Sequence, residues 1–154
     1  MFKIYKKERV INHLFSRYDI SKDYFDNYLF LIKNKSVFII CKEKNEIIQK
    51  LITNKSVINV GIEIFSDIVK FRPCSLGFCV FDKNEIKQNY VILKRSQVVD
   101  HLNGKEIDVD NVSNKNILST GYVICIYNNK VVGSCLFENN KLIPNLAFVN
   151  QKAK

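Results

Sequence analysis

Apolar residues in the first part of the chain recur with two different spacings. Over residues 6–18 and again over residues 44–52, apolar positions return every three or four residues, which predicts two amphipathic helices. The segments 28–32 and 36–41 are apolar apart from Ser36, and the three polar residues between them predict a β-hairpin. The sequence therefore places a hairpin between two helices.

Extended structure is also predicted after the second helix. The segment 57–65 is rich in β-branched residues, and apolar residues alternate with other residues in the segment 74–81. Three of these alternating residues are expected to share one face of a strand: Leu76, Phe78 and Val80. The charged segment 82–85 follows, and we place a module boundary there.

The second part of the chain is rich in strand patterns and contains one short helix. A strand over residues 90–93 precedes a helix over residues 96–104. Ser96 is the expected N-cap of this helix, and Gly104 is the expected left-handed stop. A further strand is predicted over residues 105–109.

The remainder of the second part predicts a loop and a hairpin. The polar segment up to Ser119 predicts a mobile loop. Segments 121–127 and 131–137 flank the turn Asn128-Asn129-Lys130 and predict a β-hairpin. After another turn, residues 141–144 complete a compact β-rich unit.

These patterns predict an α+β protein of two modules, residues 1–84 and residues 85–154. The chain has 154 residues, of which 47% are hydrophobic, so it can bury a core as one domain or as two packed modules. Its net charge of +9 favours a polyanionic partner, because Lys and Arg side chains release counterions from phosphates. Charge alone leaves RNA, DNA and membrane surfaces open as partners.

The cellular location is inferred from what the sequence does not contain. No segment has the roughly 18 consecutive apolar residues of a membrane span, and the N-terminus has no apolar core of a secretion signal. The five cysteines are an odd number without paired spacing, which favours reduced, buried thiols. We therefore expect a soluble cytoplasmic protein that binds no membrane.

No local pattern indicates a metal, a cofactor or a catalytic group. Zinc ligands come in closely spaced pairs, whereas Cys74 and Cys79 lie five residues apart and His13 and His101 are isolated. The five glycines never cluster into a cofactor-binding turn. Both histidines lie far along the chain from any cysteine, so only folding could unite such groups. We expect no metal, no cofactor and no enzyme activity.

The tripeptide Pro73-Cys74-Ser75 resembles the sequence around the catalytic cysteine of RNA cytosine-5 methyltransferases. Here no activating base or helix N-terminus accompanies Cys74, so we interpret it as a structural strand residue. A thiol enzyme that uses Cys74 is the remote alternative.

The order of elements in the second half, together with two sequence runs, is similar to that of a known family. A strand leads into a helix that ends Asp100-His101-Leu102-Asn103-Gly104-Lys105-Glu106-Ile107, and a hairpin follows over residues 121–134. With these features, residues 90–146 resemble a PUA domain, a small RNA-binding pseudobarrel. The resemblance implies a PUA-like pseudobarrel with one short helix.

The first half is similar to the segment that precedes the PUA domain in RsmF-type (Sun-related) RNA cytosine-5 methyltransferases. The similarity rests on residues 17–26, residues 60–64 and the pair Arg72-Pro73. It implies that residues 1–84 form an N-terminal α/β pre-PUA module. Small pre-rRNA processing factors share this two-module plan.

The resemblance also implies where RNA would bind. In PUA domains the RNA lies against the helix after the first strand and against neighbouring strands. The implied RNA contacts are Lys94 and Arg95 at the helix entrance and Lys105 after the helix, with Arg72 and Lys141 as further candidates. The chain departs from the family after its last strand, where most of the family's basic tail residues are missing.

The function implied is that of a noncatalytic RNA-binding protein that recognises structured rRNA or tRNA. Such a protein would act in RNA modification or ribosome assembly, or as a ribosome-associated protein. The alternative is a protein-interaction adaptor that docks onto a separate RNA-modifying enzyme without contacting RNA.

Overall fold

Two β-sheets and three α-helices are formed within residues 1–54 and 56–146, which are the residues that the computed structural model describes. The predicted α+β class is thereby confirmed. The second sheet is curled into a half-barrel, which is consistent with a β-rich pseudobarrel. Among the described residues, no helix has both the length and the apolar character needed to cross a lipid bilayer. The last residues of the predicted second module, 147–154, lie outside this description.

The first half of the chain contains seven helices and strands among its described residues. They are β1 Lys3–Ile4, α1 Glu8–Tyr18, β2 Tyr28–Lys33, β3 Ser36–Cys41, α2 Asn45–Thr53, β4 Ile62–Asp67 and β5 Arg72–Pro73. The five strands lie in the sheet in chain order, and each neighbouring pair is antiparallel. Both predicted helices and the β2–β3 hairpin are confirmed.

The second half, up to residue 146, contains seven further helices and strands. They are β6 Tyr90–Ile92, α3 Arg95–Leu102, β7 Ile107–Asp108, β8 Asn114–Asn116, β9 Gly121–Tyr127, β10 Lys130–Glu138 and β11 Lys141–Pro144. The strand order in this sheet is β7-β11-β10-β9-β6-β8. Strand β6 runs parallel to β9, whereas the other neighbouring pairs are antiparallel.

Positive backbone angles explain the two tight turns of the second sheet. Between β9 and β10, Asn128 and Asn129 have φ angles of 48° and 61°, and between β10 and β11, Asn139 and Asn140 have φ angles of 51° and 61°. Asparagine tolerates the left-handed region better than most residues. Two such residues in succession match the hairpin turn that suits twisted strands, so the predicted β9–β10 hairpin is confirmed.

One hydrophobic core joins the two sheets. It contains Leu14 and Tyr18 from α1, Phe65 from β4, Phe78 and, from the second sheet, Ile124. All five side chains are completely buried, and burial of each such side chain contributes roughly 1.5–3 kcal/mol. The connector that we predicted as a module boundary lies between β5 and β6, and the core is continuous across it.

The segment 74–81 is not a strand, and the prediction was wrong there. Residues Gly77–Val80 form a 3-10 turn. The glycine that begins this turn packs against β4 so closely that a Cβ atom would lie 1.8 Å from the carbonyl oxygen of Glu63. Phe78 enters the core, whereas Leu76 is 73% exposed, so the apolar residues do not share one face.

Helix α3 is capped two residues earlier than predicted. Lys94 occupies the N-cap position expected for Ser96, and its N–H group donates to Oε1 of Gln97 at 2.9 Å. The buried Gln97 amide also donates to the carbonyl oxygen of Asn111, which fixes the start of the helix. Gly104 follows the helix with a φ angle of 74°, as expected for a left-handed stop.

Other strands differ from the predictions in their extent. The strand predicted over residues 57–65 begins only at Ile62, and the strand predicted over residues 105–109 is reduced to Ile107–Asp108. The segment predicted as a mobile loop up to Ser119 contains β8, which pairs with β6. Strand β8 is an Asn-Lys-Asn segment, and such a polar strand has no apolar alternation from which to predict it.

Candidate nucleic-acid interface

Lys94 and Arg95 lie at the N-terminal end of α3, where the sequence places them, and both side chains are exposed. Neither side chain forms an ion pair within the described part of the chain. Cations near the positive end of a helix dipole are unfavourable, typically by about 0.3–1 kcal/mol. Two uncompensated cations at this position create a local positive potential that suits an anionic group.

Lys105 and Lys141 are paired with carboxylates of the same half. The Nζ atom of Lys105 lies 3.5 Å from Oδ1 of Asp100, and the Nζ atom of Lys141 lies 2.8 Å from Oε2 of Glu106. The Glu106 carboxylate raises the pKa of the Lys141 ammonium group. The four side chains are between 41% and 67% exposed. Exposed pairs of this kind contribute little to stability, so a phosphate can replace the carboxylates.

Arg72 lies in β5, at the edge of the first sheet, and its side chain is half-buried. Its Nε atom donates to Oδ1 of Asn145 at 2.9 Å. Asn145 is buried, and its amide nitrogen donates to the carbonyl oxygen of Pro73 at 2.8 Å and to Oγ of Ser134 at 2.9 Å. These bonds hold the guanidinium group between the two sheets.

Two clefts meet at Arg72. One has a volume of about 310 Å³ and is lined by Arg72, Gly104, Tyr122, Leu136, Ile143, Pro144, Asn145 and Leu146. The other has a volume of about 260 Å³ and is lined by Glu63, Ser66, Arg72, Pro73, Cys74, Ser75 and Asn145. The larger cleft, which we call the Arg72 cleft, therefore joins the edge of the first sheet to the C-terminal end of α3.

The predicted RNA contacts fall into two groups along α3. Lys94 and Arg95 lie at one end of the helix, whereas Lys105 follows its other end, directly after Gly104. Eight helical residues span about 12 Å, which is the distance between the two groups along the helix axis. The structure brings Arg72 to the Gly104 end, so the candidate RNA contacts lie at both ends of α3.

The sequence did not predict two residues that line the cleft, Tyr122 and Asn145. Tyr122 lies in β9 and lines the cleft, while its carbonyl oxygen accepts hydrogen bonds from Arg17. Asn145 follows β11 and carries the contacts to Arg72. Neither residue belongs to a local motif, because both acquire their positions from the packing of one sheet against the other.

The segment Pro73-Cys74-Ser75 serves to position this region. Cys74 follows directly after β5, and its N–H group donates to the carbonyl oxygen of Ile64 at 2.8 Å, which extends the pairing with β4. The Oγ atom of Ser75 donates to the carbonyl oxygen of Asn145 at 2.7 Å. The tripeptide thus links the two sheets behind Arg72.

A separate group of side chains lies in the interior of the second half. The Nδ1 atom of His101 in α3 is 3.3 Å from Sγ of Cys135 in β10, which is 3.3 Å from Sγ of Cys125 in β9. The hydrogen bond from Cys125, assisted by His101, lowers the pKa of the Cys135 thiol against the opposing effect of burial. All three residues are completely buried, so no substrate can reach them. Folding thus unites groups that are isolated along the sequence.

Comparisons with known proteins do not identify a family. The chain matches no protein-family model, and no curated protein matches it. The structure itself defines an α+β protein whose second sheet is a curled half-barrel, with cationic residues at one end of α3 and a cleft at the other. The function is therefore inferred from this surface.

Proposed function

We propose that the protein is a noncatalytic RNA-binding protein that recognises structured rRNA or tRNA in the cytoplasm. It would act in RNA modification or ribosome assembly, or as a ribosome-associated protein. The observation that carries this proposal is the Arg72 cleft, which combines a fixed guanidinium group, a tyrosine and the glycine that follows the C-terminal end of α3. The PUA-like order of residues and the net charge of +9 support the same conclusion.

Lys94 and Arg95 are suited to the RNA backbone. Phosphate contacts orient a protein on a nucleic acid, and they need cations presented on rigid elements. The hydrogen bonds of Gln97 fix the first turn of α3, which carries both cations. Lys105 and Lys141 add two further phosphate contacts when their exposed carboxylate partners are displaced.

The Arg72 cleft is suited to an unstacked base. Single-stranded loops and bulges are recognised through bases that stack on aromatic rings or Arg planes and form hydrogen bonds at their edges. Tyr122 supplies the ring. Arg72 donates its Nε–H to Asn145 and supplies its remaining guanidinium N–H groups to the base. A volume of about 310 Å³ is at the lower limit of small-molecule sites, which suits one base better than a larger ligand.

Charge reversal along this surface tests the proposal. The triple variant Lys94→Glu, Arg95→Glu, Lys105→Glu is compared with a matched control, Lys35→Glu, Lys50→Glu, Lys130→Glu, in which three exposed lysines elsewhere carry the same change. Mobility shift with structured rRNA and tRNA fragments measures affinity at several salt concentrations. We expect the first variant to lose binding by more than tenfold, with a salt slope reduced by about 0.7–0.9 for each lost phosphate contact.

The control variant is expected to bind RNA with a smaller loss and to have the same circular dichroism spectrum as the wild type. If the wild-type protein shows no preference for structured RNA over duplex DNA at near-physiological salt, the proposal is wrong. The proposal also fails if the two triple variants lose affinity equally, because binding would then reflect net charge alone.

A protein-interaction adaptor remains the second candidate because α3 also exposes apolar side chains. Val99 and Leu102 are 52% and 60% exposed, and their spacing of three residues places them on one side of the helix. An adaptor that docks onto an RNA-modifying enzyme would use this pair. The variant Val99→Asp, Leu102→Asp would then abolish capture of that enzyme, while the charge-reversal variant would retain it.

A further inference from the structure

The interior of the second half contains three metal-ligand side chains from three different elements. They are His101 of α3, Cys125 of β9 and Cys135 of β10, and their ligand atoms lie within 4.8 Å of one another. Two of the separations are 3.3 Å, from Nδ1 of His101 to Sγ of Cys135 and from there to Sγ of Cys125. Donor atoms this close can share one ion at ordinary bond lengths of about 2.0–2.3 Å.

His101 has a polar atom that the core does not satisfy. Its Nε2 atom is buried and has no hydrogen-bond partner among the described residues. An unsatisfied buried polar atom destabilises the folded state, whereas an apolar side chain of similar size would avoid this cost. The presence of histidine is therefore explained by its other nitrogen, Nδ1, which is directed at the thiols.

The hairpin is shaped to admit this imidazole ring. Gly133 of β10 packs against the ring so closely that a Cβ atom at this position would lie 2.5 Å from Nε2 of His101. A β-bulge interrupts the pairing of β9 and β10 between Val131 and Gly133. Bulges redirect side chains, and this one lies next to the strand positions that carry both thiols.

We propose that His101, Cys125 and Cys135 form a buried three-coordinate site for one soft monovalent cation, of which Cu(I) is the physiological example. Thiolate sulfur is a soft ligand that selects Cu(I) and zinc over harder ions. Zinc structural sites take four ligands, but the described residues supply only three at this place. Residues 55 and 147–154 contain no His, Cys, Asp or Glu that could provide a fourth.

Binding of the ion would fasten α3 to the β9–β10 hairpin. The ion replaces the thiol protons, which are released, and it accepts the imidazole lone pair at Nδ1. Because the site is completely buried, the ion enters while the chain folds and not through a channel in the folded protein. This inference does not rest on RNA binding, since it concerns the interior of the second half alone.

Refolding with metal tests the site. The full chain is unfolded in guanidinium under anaerobic, reducing conditions and refolded with one equivalent of Cu(I), with one equivalent of Zn(II), or without metal. The refolded protein is desalted in the presence of a weak chelator, and the metal that it retains is then measured by elemental mass spectrometry. We expect close to one equivalent of copper, an ultraviolet thiolate-to-copper charge-transfer band, and a higher thermal midpoint than that of the metal-free protein.

Matched serine variants locate the donors. Cys125→Ser and Cys135→Ser are expected to retain less than a tenth of the copper, whereas Cys41→Ser, which changes an exposed thiol, is expected to retain all of it. The proposal is overturned if the wild-type protein refolds without retaining copper, if it retains zinc in preference to copper, or if its two buried thiols form a disulfide under these conditions. The wild-type measurement keeps this test decisive even where a serine variant does not fold.

Discussion

Arg17 in α1 donates two hydrogen bonds to the carbonyl oxygen of Tyr122 in β9, from Nε at 3.1 Å and from Nη2 at 2.9 Å. The same guanidinium group donates from Nη2 to the carbonyl oxygen of Ser119 at 3.2 Å. One side chain of the first half thus fixes the start of a strand in the second half. This attachment holds the backbone of Tyr122, a residue that lines the Arg72 cleft.

Substitution of Arg17 by lysine is expected to destabilise the protein by about 1–2 kcal/mol. A lysine retains the charge but cannot donate two parallel bonds to one carbonyl oxygen, and a hydrogen bond from a charged group contributes about 1.5–3 kcal/mol. Guanidinium denaturation measures the change. Arg95→Lys is the matched control, since Arg95 is exposed, and it should change stability by less than about 0.5 kcal/mol. Equal effects of the two substitutions would contradict this role of Arg17.

The Tyr122→Ala variant is expected to bind structured RNA more weakly by about 1–3 kcal/mol, the usual contribution of one base stacked on an aromatic ring. Because Arg17 bonds to the backbone of residue 122, the attachment between the halves should survive the substitution. Tyr122→Phe preserves the ring and should bind within about twofold of the wild type. Titration of a fluorescent RNA loop compares the three proteins. Equal RNA affinities of the Tyr122→Ala variant and the wild type would exclude stacking at this position.

Gly133→Ala is expected to destabilise the protein by about 1–3 kcal/mol, the typical cost of overpacking a core. The added methyl group would lie 2.5 Å from Nε2 of His101. In the double variant with His101→Ala, the ring that causes the clash is absent, so the cost of the Gly133 substitution should fall. Urea unfolding of the four proteins in this cycle measures the coupling, and additive effects would show that His101 is not the obstacle.

His13 is expected to make the folded state less stable as the pH falls from about 6.5 towards 4. Burial, followed by the charges of Arg17 and Arg9, lowers the pKa of His13 to about 4, so the unfolded chain binds this proton first. The loss is about 1–2 kcal/mol, since the ring is only partly buried. The ring also stacks on Phe71 with centroids 3.8 Å apart.

Stability measured between pH 7 and pH 4.5 tests the role of His13. The wild type should lose more stability over this range than His13→Gln does, because glutamine does not titrate. The carboxylates titrate in both proteins, and their contribution cancels in the comparison. Parallel pH profiles for the two proteins would show that His13 has an ordinary pKa in the folded state.

Local patterns predict the elements whose own residues determine them. The helix α1 has its buried residues on one face, and the β9–β10 hairpin has two asparagines at the positions that need positive φ angles. The prediction of a strand over residues 74–81 was wrong because an alternating pattern also fits a turn that buries one aromatic residue. What decided its structure was the close approach of Gly77 to Glu63, a contact between distant parts of the chain.

The candidate site could be predicted only in part for the same reason. Lys94 and Arg95 lie at the N-terminal end of α3, close to the helix entrance that the local sequence predicts. Arg72 and Gly104 line the same cleft because of how the two sheets pack, and no spacing along the chain predicts this. His101 and Cys135 likewise come from different elements, and their contact depends on how α3 packs against the β9–β10 hairpin.

The parallel pairing of β6 with β9 also constrains the order in which the second half folds. The β9–β10 hairpin can close early because its strands are joined by a two-residue turn. Strand β6 is separated from β9 along the chain by α3, β7 and β8, so their pairing must wait for a long loop to close. The slowest step in forming this sheet is therefore expected to be the insertion of β6 between β9 and β8, which also seats α3 and its cationic end.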